Sequence, residues 1–363
     1  MPKKTFFTVG PSQLYFGVEQ HARQAFSTQL LSISHRSREF QNIYRFASEQ
    51  VRELFKIPES YHILFLASAT EAWERILQSC VIRESCHLVN GAFSQRFATT
   101  AEELGLSTQI FHAKEGLCCE PKDILLSNNS ELIALTHNET STGAMQPVND
   151  IAAIKDAFPD TLIAVDVVSS APYIDFEVNL VDALFFSVQK GIGLPPGLGV
   201  LAVSERCLTK CHEKAESGLS VGTYHSLSNL VEYAQKYQTP ETPNILNIYL
   251  LGQVLEDMNK RGAQQINKET KQKSAIIYQT LEDCNYLKPY VCKKECRSKT
   301  TIVAELENPG DQAQIIHYLK EKNLEVSTGY GNNKGNHIRI ANFPAHSKEQ
   351  VEQLADALLN FKK

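Results

Sequence analysis

Between residues 60 and 205 short apolar runs alternate with helical patterns, and that alternation leaves few architectures open. The runs "HILFLAS" (62–68), "CHLVN" (86–90), "ELIALTHN" (131–138), "TLIAVDVV" (161–168) and "VDALFFSV" (181–188) have the continuous apolar character of buried strands. "ATEAWERILQSCVI" and "PVNDIAAIKDAF" lie between them with helical spacing, and "LGVLAVS" adds a further strand. The pattern predicts an α/β fold: a mostly parallel sheet with helices on both faces. Upstream, "REFQNIYRFASEQVRELF" places Phe40, Ile43, Tyr44, Ala47, Val51 and Leu54 on one helical stripe.

A long helical region follows from about Pro243 to Asp283, then "TTIVAEL", the helix "DQAQIIHYLKEKN", the strand pair "EVSTGYG" and "NHIRIANF", and a last helix "SKEQVEQLADALLNF". The expected division is a large domain over 15–255 and a smaller α+β domain over 256–363, joined by the segment 1–14. Open sheets of this kind bind ligands beyond the carboxyl ends of their strands, so the strand ends are where chemistry is sought.

Composition narrows the partners. Lys and Arg total 36 against 41 Asp and Glu, a net charge of −5, so no nucleic-acid partner is expected. No apolar run approaches a membrane span, and "MPKKTFFTVGPSQLYF" has no continuous apolar stretch, so a cytoplasmic protein without a membrane partner is expected. The nine cysteines give no disulfide framework. Cys207/Cys211 and Cys292/Cys296 are C-x3-C pairs, but no histidines follow at zinc-finger spacing, so reduced thiols and no metal are expected.

The stretch "LFFSVQKGIGLPPGLGVLAVS" puts Lys190 where an apolar strand meets a glycine- and proline-rich loop. A dinucleotide fingerprint needs G-x-G-x-x-G opening a helix, whereas Pro195 and Pro196 intervene here and a strand follows. A phosphate loop of the Walker type needs its glycines before the lysine. The remaining chemical reading is a lysine that binds pyridoxal phosphate covalently, set against an ordinary solvated charge.

Other strand ends supply what that cofactor needs. Asp166 closes "TLIAVD" and either caps a turn or holds the pyridine nitrogen protonated. Thr140 in "ALTHNETSTG" either belongs to a polar turn or bonds the ring oxygen. In "FLASATEAWE", Ala69 and Thr70 open a helix whose amides suit a phosphate, unless Ser68 and Thr70 simply cap it. Phe93 in "VNGAFSQR" either stacks on the ring or packs in the core. Together these strand ends offer an amine, a carboxylate, a hydroxyl, an anion cradle and an aromatic.

With these pieces the sequence resembles the class V aminotransferases, pyridoxal-phosphate enzymes of fold type I, and within them the phosphoserine aminotransferases. The resemblance rests on "VGPSQL", "SHRSREF", "HNETSTG", "AVDVVSS", "SVQKGIG", "YQTPETPN" and "HIRIANFP" and runs over nearly the whole chain. It implies that Lys190 carries the cofactor, with Gln189 beside it. Asp166 would face the pyridine nitrogen, Thr140 the ring oxygen, and Phe93 would take the place of the stacking aromatic. Ala69 and Thr70 would hold the phosphate from one subunit, and Gln238 and Thr239 would reach it from the other, which requires a homodimer. Arg339 would bind the substrate α-carboxylate, and His35 with Arg36 its distal anion. The implied reaction moves an amino group from phosphoserine to 2-oxoglutarate in serine biosynthesis.

The chain departs from that family in places. The His-Arg pair expected in the small domain is missing from "KNLEVSTGYGNNKGNH", where Leu324 and Glu325 lie near the place and Lys334 or His337 are the stand-ins. Val9 replaces a frequent serine, and Thr70 an arginine found in some members. The alternative is a relative acting on alanine, serine or glyoxylate. A cysteine desulfurase is disfavoured, because "EVSTGYG" has no cysteine and Gln189 stands before the lysine where histidine is usual. A non-catalytic pyridoxal-binding protein would have little use for His35, Arg36 and Arg339 beside Lys190.

Overall fold

The computed structural model describes residues 3–362, and among these the backbone forms twelve strands in two sheets. They are β1 (Thr5–Phe7), β2 (His62–Leu66), β3 (Glu84–Val89), β4 (Ser107–His112), β5 (Ser130–Thr136), β6 (Leu162–Asp166), β7 (Ala183–Ser187), β8 (Gly199–Val203), β9 (Leu287–Pro289), β10 (Thr301–Leu306), β11 (Leu324–Thr328) and β12 (His337–Ala341).

The larger sheet has seven strands in the order β2-β8-β7-β6-β5-β3-β4. Its inner strands β6 and β7 are buried at every position, which explains their unbroken apolar runs. Four of the pairings are parallel, and only β2–β8 and β7–β8 are antiparallel. The reversal at β8 follows from chain length: residues 188–198 are too few for a helical crossover, so the strand must turn back beside β7. Edge strand β4 carries no apolar run because its residues are half-buried or exposed, and it leaves no signal in the sequence. Helix Arg38–Phe55 buries Phe40, Tyr44, Ala47, Val51 and Leu54 of the expected stripe, while Ile43 is partly buried.

The smaller sheet has the order β1-β11-β12-β10-β9, with its own apolar cluster around Ile277, Leu281, Ile302, Ile338 and Leu354. Its edge strand β1 comes from the amino-terminal segment and pairs in parallel with β11, Thr5 opposite Leu324. The helical region after Pro243 breaks at Gly262, φ 89°, into Ile245–Arg261 and Ala263–Asp283. The first packs on helix Arg38–Phe55, and the second sends Ile277 and Leu281 into the smaller cluster.

The larger sheet fixes where chemistry can occur. β3, β5, β6 and β7 run in one direction, and β2, antiparallel to β8, runs the same way. Their carboxyl ends therefore bring residues 67–70, 90–93, 136–140, Asp166 and 187–190 to one rim. At that rim β8 starts with Gly199, where an added Cβ would lie 2.4 Å from the Ser68 carbonyl carbon and 2.9 Å from the Ala69 nitrogen. Gly199→Ala should therefore lower the denaturant midpoint by an amount equivalent to about 1–3 kcal/mol and weaken pyridoxal phosphate binding together. Wild-type values for both would show that the rim has slack at this point.

Candidate active site

Lys190 sits in the 188–198 connection with its side chain turned inward. Its Nζ donates to Thr140 Oγ1 at 2.8 Å and to Ser169 Oγ at 2.9 Å, and lies 5.3 Å from the centre of the Phe93 ring. Thr140 and Ser169 also share a hydrogen bond, so three polar groups from three strand ends meet at one point. Burial disfavours the charged amine and brings its pKa down to about 8.

Asp166 ends β6 within the same cavity, of about 350 Å³. Its carboxylate accepts from the Trp73 indole N–H at 3.2 Å and from the Val168 backbone N–H at 2.8 Å. Burial raises its pKa to about 6, against the lowering influence of the Val168 N–H, the Lys190 charge and Trp73. No ion pair within 4.0 Å joins Asp166 to Lys190 among the described residues, so two opposite charges face one cavity without meeting.

Beside them lies a cradle for an anion. Ser68 caps helix Ala69–Cys80 by accepting from the Glu71 N–H at 3.2 Å, and the Ala69 N–H donates to Ser187 Oγ at 2.8 Å. Thr70 lines the cavity, and neither its N–H nor its hydroxyl has a partner among the described residues. Arg339 enters from β12 of the smaller sheet. Its Nε donates to the Thr328 carbonyl at 2.8 Å and its guanidinium lies 5.4 Å from the Tyr330 ring centre. Burial holds its pKa below the ordinary arginine value.

The cavity thus gathers Ala69, Thr70, Phe93, Thr140, Asp166, Gln189, Lys190 and Arg339. It does not include His35, Arg36, Gln238 or Thr239; Arg36 meets Gln238 and Thr239 apart from it. Arg36 donates through Nη1 to Gln238 Oε1 at 3.0 Å and the Thr239 carbonyl at 2.7 Å, and through Nη2 to the Pro240 carbonyl at 3.0 Å. Three of its five donors are committed within the chain, and two remain. Tyr237, just before, holds φ 53°, a costly left-handed conformation for a bulky residue.

His225 ties that cluster to the cradle, bonded through Nδ1 to Glu71 and through Nε2 to Glu241 at 2.9 Å. Burial opposes its protonation, but the bonds to Glu241 and Glu71 prevail and raise its pKa to about 9. Protonation is thus favoured in the folded state: the bridge is complete below the unfolded value, about 6.5, and is lost as pH rises through about 9.

Three further contributors escaped the sequence reading. Trp73 is the chain's one tryptophan, a turn into the helix from Ala69. Ser169 lies three residues past Asp166. Tyr330 sits between two glycines after β11, its ring 5.1 Å from that of Phe93. The stand-ins Lys334 and His337 do not line the cavity: Lys334 is exposed, and the His337 ring lies tilted against that of Tyr290, 4.3 Å between centres. Leu324 and Glu325 lie on β11 beside the edge strand β1, where Glu325 meets Lys4 at 2.9 Å. All nine cysteines are free thiols, and no three His, Cys, Asp or Glu side chains are grouped to hold a metal among the described residues. Among the described residues no helix is long and apolar enough to cross a membrane.

Residues 9–354 match the family described as Aminotransferase class-V. The chain belongs to the class V aminotransferases. It is 28% identical over 362 residues to the phosphoserine aminotransferase of Rhodococcus opacus (strain B4), covering 99% of this chain and 95% of that one. The crystal structure of a phosphoserine aminotransferase from Cytophaga hutchinsonii superimposes with a TM-score of 0.95 at 45% identity, covering 99% of both chains. An alanine–glyoxylate aminotransferase from Nostoc shares the fold at 23% identity, with a TM-score of 0.85 over 99% of this chain and 95% of that one. The fold is therefore that of the fold type I enzymes, the protein is an aminotransferase, and its cofactor is pyridoxal phosphate.

The cavity fits that cofactor. Buried Thr136 Oγ1 and both amide atoms of Asn138 line it without hydrogen-bond partners among the described residues. Free Thr70 donors, a buried acid and a buried amine complete the donor set. Lys190 at about 8 has a pH signature, because only the neutral amine attacks a carbonyl. Recovery of the visible band when pyridoxal phosphate is added to cofactor-free protein should speed up about eightfold from about pH 7 to about pH 8.5, then level off. Lys190→Ala should give no borohydride-reducible chromophore. A rate independent of pH, or a reducible chromophore in the variant, contradicts the assignment.

Proposed function

We propose that the protein transfers the amino group of O-phospho-L-serine to 2-oxoglutarate, yielding 3-phosphohydroxypyruvate and L-glutamate, in the cytoplasm and as part of serine biosynthesis. The observation that carries this reading is the 45% identity to the Cytophaga phosphoserine aminotransferase across 99% of both chains. The arrangement of arginines supports it. Arg339 lines the cavity, where it would bind an α-carboxylate, and Arg36 is an exposed second guanidinium with two donors to spare.

Pyridoxal phosphate, when bound, supplies an electron sink for charge that develops at the substrate α-carbon. The residues do the rest. Asp166 would hold a proton on the ring nitrogen, with its carboxylate oriented by Trp73 and Val168. Thr140, beside Ser169, would steady the ring oxygen, and Phe93 would cover one face. Ala69 and Thr70 would hold the phosphate at the helix amino terminus. Gln189 would contact the cofactor next to Lys190. Lys190, released as a free amine, would carry a proton between the substrate α-carbon and the cofactor carbon C4′, which suits an amine buried to a pKa of about 8.

Beyond Lys190 and Arg339, no basic side chain lines this cavity among the described residues. A distal phosphate therefore needs charge from elsewhere. We take His35, Arg36, Gln238 and Thr239 as one unit offered to the cavity of a second copy, so that the working protein is a homodimer with shared sites. Domains of 15–255 and 256–363, the latter with segment 1–14, complete the reading: the first holds the cofactor and the second brings Arg339. An alternative donor, alanine or serine with glyoxylate as acceptor, is favoured by one observation: Asn332 and Asn333, not cations, follow Tyr330.

A donor panel separates the two. The wild type should prefer phosphoserine over alanine and serine. Arg339→Ala should lower kcat/KM for every donor by at least about 30-fold, the effect of removing about 2 kcal/mol or more from a buried charge pair. Arg36→Lys keeps the charge but loses the fork, and should raise KM for phosphoserine and glutamate about tenfold while changing alanine little. A wild-type preference for alanine or serine, or equal effects of Arg36→Lys on all donors, excludes phosphoserine as the substrate.

A further inference from the structure

Next to Thr140 lies Glu139, fully buried and outside the assignments made so far. Its carboxylate accepts five hydrogen bonds. Oε2 takes the Phe93 N–H at 3.1 Å, the Ser94 N–H at 2.9 Å and the Ser94 hydroxyl at 3.0 Å. Oε1 takes the Ser141 N–H at 3.0 Å and the Ser141 hydroxyl at 2.7 Å. Each partner is bonded to it as a donor, the arrangement that suits an acceptor-only carboxylate.

The five bonds join two strand ends. One oxygen grips the first turn of helix Ala92–Glu103, which carries Phe93, and the other grips the turn after Thr140. The chain makes room for this carboxylate: a Cβ on Gly91 would lie 2.4 Å from Glu139 Cγ and 2.5 Å from Ser141 Oγ. Glycine at the end of "VNG" is thus explained by the acid it accommodates.

We propose that Glu139 is a positioning residue of the cofactor site: it holds Phe93 and Thr140 in mutual register and gives the Lys190 amine a second buried negative charge besides Asp166. A neutral capping side chain would perform the first task alone. The charge matters because burial, the largest influence on Lys190, Asp166 and Arg339, acts there together with Glu139, which favours the protonated form of all three. Removing that charge should make Lys190 lose its proton more readily.

The inference rests on the placement of the cofactor at Lys190, and the test separates the two. The visible band of the cofactor-loaded protein is titrated with pH in the wild type and in Glu139→Gln, alongside thermal unfolding. The midpoint should fall by about one pH unit or more, a tenfold change in proton binding. Glu139→Asp keeps the charge on a shorter stem, and should lower the unfolding temperature while leaving the midpoint within about 0.3 of a unit. Should Glu139→Gln not fold, Gly91→Ala displaces the carboxylate instead and should shift the midpoint downward. An unshifted midpoint in the folded neutral variant, or as large a shift in Glu139→Asp, would overturn the proposal while leaving Lys190 in place. A band that survives Lys190→Ala would overturn both.

Discussion

Two opposite charges, Lys190 and Asp166, are buried at the ends of neighbouring strand segments and do not pair with each other. Each is costly. Removing a charge from water is repaid only by a close partner or by neutralisation, and here the amine is pushed down to about 8 and the acid up to about 6. A cofactor with a carbonyl for the amine and a basic ring nitrogen for the acid would relieve both costs at once. The continuous apolar strands β6 and β7 provide the stability against which this local cost is set.

What the sequence makes legible follows from what generates each signal. Strands buried on both faces must be apolar throughout, so β5, β6 and β7 stand out, and their parallel arrangement follows from the helices between them. β4 is an edge strand and β1 and β9 have three residues each, so neither a run nor a period can form in them. The same logic governs the site. Lys190, Asp166, Thr140, Thr70 and Phe93 could be found because each follows a recognisable strand, and the sheet direction brings strand ends together. Trp73 and Tyr330 reach the cavity from a helix turn and a glycine loop, where nothing in the local pattern says which way a ring points. Glu139 was hidden for a different reason: three of its five donors lie in the first turn of a helix far away in sequence, and only the fold brings that turn to its own.

The cluster of Arg36, Gln238 and Thr239 illustrates a further limit. Resemblance names these residues as contacts of a phosphate or a distal anion, yet within one chain they contact each other and not the cavity. Side chains that serve a neighbouring molecule leave no internal geometry from which that service can be read. What one chain does show is the bracing. Three carbonyl or amide oxygens hold Arg36, and His225 bridges Glu71 beside the anion cradle to Glu241 beside Thr239. If this segment is offered to a second copy, as proposed, these bonds would supply its preorganisation.

Arg339 adds the last constraint, because it belongs to the other sheet. Its guanidinium reaches the Thr140 carbonyl from Nη1 at 3.4 Å while Nε stays on the Thr328 carbonyl at 2.8 Å. One bond crosses between the sheets and the other stays within the smaller one. The crossing bond is the longer and the easier to exchange, so a substrate carboxylate can take its place without disturbing the anchor at Thr328. In the proposed reading, recognition of the α-carboxylate and the relative placement of the two sheets would be linked through a single side chain. The loop that receives it is the one Glu139 holds to Phe93, so Arg339 and the proposed seat of the cofactor share one buried acid.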